Sequence, residues 1–196
     1  MSASEKHYLL SIDNGTQSIR AMVFDQDGEL LAKSKVDIES YSSPAPGLAE
    51  QDAEYFWNSL CEACQALWPM LDFPREAIRA VSVTTQRATV VPMDAGGHAL
   101  HPAISWLDQR LAKSKPRLGP LQRLAMRVIG AHQAVAEFHA NAEANWFAEE
   151  RPEIWAQVDK YLLLSGYHSY RLTGEYTDAV GSQVGYIPFD FKNQCW

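Results

Sequence analysis

The sequence predicts an α/β fold that begins β-β-β-α-β, and three observations carry that prediction. Between Tyr8 and Ile38, three short stretches rich in apolar residues are separated by compact turn signals, the pattern of a meander. From Asp52 onward, Phe56, Leu60, Cys64, Leu67 and Leu71 recur at helical spacing. The run Ile78-Arg79-Ala80-Val81-Ser82-Val83 then reads as a short buried strand that follows a turn at Pro74 and Arg75.

Each element has a local reason. Residues 8–12 are apolar apart from Ser11, which suits a buried strand, and Asp13 stands at its carboxyl end. Asn14-Gly15 is a strong turn signal because both residues tolerate positive φ, and Ile19–Phe24 reads as the strand returning. Gly28 turns the chain again, and Glu29–Val36 forms the third strand. A loop rich in Ser, Pro and Gly spans 40–47, Asp52 is a plausible N-cap, and Pro69 marks the end of the regular helix. Residues 88–105 read as a hairpin, with Thr89–Met93, a turn at Asp94–Gly97, and Leu100–Ile104. Beyond Arg110 a helical elaboration over about 111–172 is expected. Its helices begin near Pro120, Ala142, Pro152 and Ser165, the first closed by Gly130 and the last by Gly174. Turns are expected at Gly181, Gly185 and Pro188 in the final stretch.

Composition excludes several classes. The chain has 196 residues, enough for one domain with a substantial core. Its formal charge is −7, from 24 acids against 17 bases, with no basic block, which argues against a nucleic-acid footprint. No run of about eighteen apolar residues offers a membrane span, and the polar start Met1–His7 is unlike a secretory leader. Three cysteines, an odd number, fit a reducing compartment and a cytoplasmic location. Cys61 and Cys64 have CxxC spacing, yet Cys64 continues the helical stripe and no second ligand pair lies nearby, so buried thiols are the better account.

Two stretches carry candidate chemistry. Asp13-Asn14-Gly15-Thr16-Gln17-Ser18 sets a carboxylate at the root of a turn whose amides and hydroxyls share one concavity. Amides so placed suit a phosphate, and the acid suits a divalent cation. Gln86 and Arg87 follow the Ile78–Val83 strand at its carboxyl end, where ligands of α/β sheets commonly sit. Trp106-Leu107-Asp108-Gln109-Arg110 joins a flat apolar face to a charged pair, a combination suited to a polyol.

In order along the chain, these motifs resemble those of the FGGY carbohydrate kinases. The likeness runs through Asp13-Asn14-Gly15-Thr16-Gln17-Ser18-Ile19-Arg20, then Gly47-Leu48-Ala49-Glu50-Gln51-Asp52 with Trp57, and Ala80–Gln86. It continues through Ala103–Arg110, Pro152-Glu153-Ile154 and Tyr170–Glu175 with Thr177-Asp178, from about Tyr8 to the end of the chain. The resemblance implies a ribonuclease H-like (actin-like ATPase) domain of a glycerol kinase or xylulokinase type. It further implies ATP and magnesium as cofactors, a small sugar or polyol as acceptor, and a parent that could be a homo-oligomer. By the same resemblance, Asp13, Asn14, Gly15, Thr16, Gln17, Ser18 and Arg20 form the phosphate and metal loop, with Asp13 the metal-side acid. Gln86, Arg87, Trp106, Asp108 and Arg110 belong to the acceptor wall, although Asp108 and Arg110 also suit a brace for the loop.

Two departures accompany the likeness. Arg87 is followed by Ala88, where glycerol kinases carry an acid, and Gln86-Arg87 differs from the loop of pentulose kinases, so the acceptor stays open. The family's catalytic base and its second, adenine-holding domain are expected beyond Trp196, so no catalytic base is assigned within residues 1–196. These 196 residues are therefore expected to be the amino-terminal part of a longer kinase and inactive alone. The alternative is a non-catalytic binding or assembly module on the same fold.

Overall fold

The computed structural model describes residues 7–183, 190 and 192–194. Strands β1 (Tyr8–Asn14), β2 (Ser18–Asp25) and β3 (Leu30–Asp37) form an antiparallel meander in which Asp13 faces Arg20 across the first pair. After the two-residue strand β4 (Glu50–Gln51), helix α1 (Ala53–Leu67) carries the chain over the sheet. Strand β5 (Ile78–Thr85) then enters parallel to β1, giving the order β3-β2-β1-β5.

Alternation in the strands decides which side is core. Leu10, Ile12, Ile19, Ala21, Val23 and Ala32 point to the helix side and are buried. Helix α1 meets them with Ala53, Phe56, Leu60, Ala63 and Leu67. Asp52 caps it by accepting from the Glu54 N–H at 2.9 Å. Ser34 is buried in β3 and satisfied, its hydroxyl donating to the Ala63 carbonyl at 2.6 Å. Cys64 flanks this core, and burial pushes its thiol up to about 11, which leaves it protonated at neutral pH.

A second, smaller sheet was not legible beforehand. Strands β6 (Val90–Met93) and β7 (Ala103–Ile104) form the expected hairpin, with a turn over Asp94–Gly97. The sheet has the order β4-β7-β6-β8, β8 being Lys160–Leu163, inside the stretch expected to be helical. Its core gathers Val90, Ile104 and Phe147 with Trp146, Trp155 and Tyr161 around them.

The helices after Arg110 are α2 (Pro120–Val128), α3 (His132–Asn141), α4 (Glu143–Glu150), α5 (Pro152–Trp155) and α6 (Leu164–Thr173). Helix α3 lacks a clear apolar stripe and was not expected. Gly174 ends α6 with φ 78°, a left-handed turn for which glycine carries no Cβ penalty. The α2 stripe of Leu121, Leu124 and Val128 is exposed, so this helix adds little to the core.

Strand β5 was expected to be buried and is instead mostly exposed, because it is an edge strand and α1 packs over β1–β3. The turns expected at Gly185 and Pro188, and Cys195, lie outside the described residues. Among the described residues no helix is long and apolar enough to cross a membrane.

Candidate functional site

The loop between β1 and β2 is held from below. Asn14 is fully buried at the end of β1. Its side-chain nitrogen donates to the Gly15 carbonyl at 3.0 Å, while its oxygen meets Nε2 of His168, from α6, at 2.8 Å. The Gln86 N–H donates to the Asn14 carbonyl at 2.8 Å, tying the loop to the end of β5. His168 is also fully buried, and burial, followed by the charge of Arg171, pushes its imidazole down to about 3. It is therefore neutral and donates through Nε2 to Asn14.

This pinning alters the expected turn. Asn14 continues β1 and pairs with Ile19 and Thr85, and neither Asn14 nor Gly15 adopts positive φ. The Gly15 N–H donates inward to the Ser18 carbonyl at 3.0 Å. The Gly15 amide is spent within the loop, and Gly15 itself stays on the wall of the concavity. Thr16, Gln17 and Ser18 line the same cavity, of about 580 Å³, with Arg20, Lys35 and Trp106.

Asp13 and Arg20 sit side by side on the sheet face away from α1. Arg20 Nη1 is 2.8 Å from Asp13 Oδ2, and each side chain is about one-third exposed. The pair engages one carboxylate oxygen and leaves Oδ1 for another partner. No group of three or more His, Cys, Asp or Glu side chains suited to a metal occurs among the described residues. Magnesium does not demand one, since it commonly takes one or two carboxylates with phosphate oxygens and water. Asp13 fits that use.

Trp106 follows β7 and is half exposed, its indole N–H donating to Thr16 Oγ1 at 3.3 Å. It also lines a second cavity, of about 1010 Å³, with Ala88, Phe138, Glu143, Asn145 and Asp178. Trp106 is thus common to the walls of the loop cavity and this larger one.

Asp108 and Arg110 also line the large cavity, but their polar atoms are mostly engaged. Asp108 accepts from Arg110 Nε at 2.7 Å, Arg110 Nη2 at 2.8 Å, the Arg110 N–H at 2.8 Å and the Ala49 N–H at 2.7 Å. Arg110 Nη2 continues to Glu50 at 2.6 Å, and the guanidinium lies 4.4 Å from the centre of the Trp146 ring. Burial alone would raise the Asp108 carboxyl. The Arg110 side chain and the two backbone N–H groups outweigh it and hold that carboxyl below the usual range. Such an acid is a poor proton acceptor. The bracing role foreseen for this pair is the one its contacts favour.

Gln86 and Arg87 are not on the wall of either cavity, whereas the next residue, Ala88, is. Gln86 has a buried side-chain amide without a partner, and Arg87 is exposed. Ala88 holds φ at 53°, an unusual conformation for a residue with a Cβ.

Three site residues escaped sequence reasoning or were undervalued. His168 reaches the loop from 154 positions away, and no local pattern marks it. Glu143 opens α4 and reads in sequence as an ordinary acid in a first helical turn. Burial, and then the charge of Asp108, push its carboxyl up, opposed by Arg110. Asp178, one of the acids weighed and passed over as a base, accepts from Ser165 Oγ at 2.8 Å and Gln183 Nε2 at 3.2 Å.

Comparison with known proteins agrees with this arrangement. Residues 8–196 match the family described as "FGGY family of carbohydrate kinases, N-terminal domain". The xylulose kinase of Escherichia coli is 28% identical over 187 residues, covering 95% of this chain and 38% of that protein. Glycerol kinase 1 of Pseudomonas aeruginosa is 30% identical over 203 residues, covering 97% of this chain and 40% of its own. Among solved structures, a gluconate kinase from Lactobacillus acidophilus superimposes with a TM-score of 0.77 at 19% identity. That match covers 97% of this chain and 38% of the other, and it bears on the fold. The β-β-β-α-β start with its helical elaboration is the ribonuclease H-like, actin-like ATPase arrangement of these relatives. The chain spans about two fifths of the length of the relatives it matches.

Proposed function

The chain belongs to the FGGY family of carbohydrate kinases, and from that premise we propose that it forms the phosphate-loop and acceptor-binding part of an ATP- and magnesium-dependent kinase for a small sugar or polyol. The observation that carries the reading is the position of Trp106. Trp106 lines both the loop cavity and the larger cavity and donates to Thr16, so a phosphate at Thr16–Ser18 and a polyol beside Trp106 would be neighbours. Phosphoryl transfer asks mainly for that juxtaposition and for stabilised charge.

Roles follow from what each group can still do. Thr16 and Ser18 offer hydroxyls to a phosphate, and Arg20 brings positive charge beside Asp13. Asp13 would hold magnesium, which when bound neutralises phosphate charge as transfer proceeds. The half-exposed Trp106 indole offers a flat face to the C–H groups of a polyol. Asp108 and Arg110 keep the Trp106 segment in place from beneath. We assign the catalytic base and the adenine site to the remainder of a longer parent, in keeping with the share of the relatives' length that this chain covers.

Sugar-dependent ADP release under magnesium tests the proposal. The complete gene product would be assayed on trioses, pentuloses, hexuloses and their polyols. Turnover on at least one is expected, and none on any would overturn the reading. Asp13→Asn should lower kcat much more than acceptor affinity measured without nucleotide. Equal losses in both would reduce Asp13 to a structural partner of Arg20.

A further inference from the structure

We infer that the large cavity is built for a neutral polyhydroxylated acceptor and against an anionic one, and that Glu143 makes this discrimination. The inference rests on the acceptor reading of that cavity. Glu143, Asp108 and Asp178 all line the wall, and Arg110 is the only Lys or Arg on it among the described residues. That single cation is already shared between Asp108 at 2.7 Å and Glu50 at 2.6 Å. Asp178 is met by the neutral donors Ser165 and Gln183. His139, on the same wall, is engaged with Ser114 Oγ at 2.9 Å and with Asn145 Nδ2 at 3.2 Å. Glu143 meets no hydrogen-bond donor among the described residues other than its own backbone N–H. A carboxylate or phosphate entering here would add negative charge to a wall that has no cation in reserve.

A second observation points to a ligand that donates. The Arg110 side chain is 3% exposed, yet its Nη1 has no hydrogen-bond partner. An unpaired N–H donor therefore lies buried behind the wall, and an unused carboxylate acceptor lies on it. The hydroxyls of a polyol can donate to that carboxylate, while Trp106 and Phe138 take its C–H faces. The carboxylate group of an anionic ligand can only accept, so it has nothing to donate to Glu143 and adds charge beside it. Ala88 brings only a methyl group to this wall, so Glu143 from α4 is the free acid available to a hydroxyl. A site that pairs hydroxyls rejects a ligand that leaves its buried groups unpaired or repelled.

Calorimetric titration of the 196-residue chain with xylitol and with xylonate, equal in carbon count and different in charge, tests this. Xylitol should bind at least about tenfold more tightly than xylonate, as repulsion between like charges in a partly buried site requires. Glu143→Gln keeps the side chain's shape and should narrow the ratio to about threefold or less, and Glu143→Lys should reverse it. Melting curves of both variants establish that they fold. Equal affinity for xylitol and xylonate in the unaltered chain would overturn the inference and leave the acceptor site standing. A preference unchanged by Glu143→Gln would remove Glu143 from the role. Binding of neither ligand to a folded chain would overturn the acceptor reading, and the inference with it.

Discussion

Replacing Asp108 by alanine withdraws the acceptor from four donors at once: Nε, Nη2 and the backbone N–H of Arg110, and the N–H of Ala49. Both side chains of the pair are 3% exposed, so water does not readily replace what is lost. Removing one member of a buried ion pair typically costs about 3–5 kcal/mol. Glu50 stays beside Arg110 and keeps its charge countered, which places the expected cost at the lower end, about 3 kcal/mol. For a chain of this size that is a fall in Tm of about 6–12 °C. Urea and thermal unfolding measure it directly. Asp108→Ala combined with Arg110→Met should recover part of the loss, because deleting both partners leaves no stranded charge. The pH dependence has a definite sign. The Asp108 carboxyl is held below its ordinary value in the fold, so its contribution is full above the unfolded value near pH 4 and is lost as pH falls through the folded value. The gap between the unaltered chain and Asp108→Ala should therefore narrow in acid. A loss under about 1 kcal/mol, the figure for an exposed pair, would refute the bracing role.

Three further outcomes are expected. His168 is buried neutral with its imidazole pushed down to about 3, so its contribution is intact above about pH 6.5 and declines as pH falls from there toward about 3; the melting temperature of His168→Gln should fall less steeply over this range. Ala88→Gly relieves a side chain held at φ 53° and, after the larger chain entropy of glycine, should stabilise by up to about 1 kcal/mol in urea unfolding. Trp106→Ala should weaken xylitol binding with little change in Tm, since the indole is half exposed, whereas a loss of about 3–5 kcal/mol would mark it as a core residue.

Local pattern by itself determined the first half of the fold. The apolar runs of β1–β3 and the stripe of Phe56, Leu60 and Leu67 mark the elements and the face that α1 buries, and Asp52 announces where α1 begins, whereas the exposure of Leu9, Leu30 and Leu31 was not marked. Asp13, Thr16, Ser18 and Trp106 were singled out from sequence as candidates, and the fold gathers Thr16, Ser18 and Trp106 at one cavity with Arg20, the ion-pair partner of Asp13. Tertiary structure decided the rest. Strand β8 has four residues and becomes a strand by pairing with Val90–Met93, about seventy positions earlier, and β4 has two residues and needs Ala103–Ile104. The exposure of β5 depends on how far α1 reaches across the sheet, a quantity no window of residues contains. The same holds within the site. Asn14 is paired with Ile19 and Thr85 and bonded to His168, and these tertiary contacts accompany a backbone without the positive φ that the dipeptide favours. Glu143 is an ordinary first-turn acid until folding sets α4 beside Arg110, where burial deprives its carboxylate of water and leaves it without a side-chain donor among the described residues.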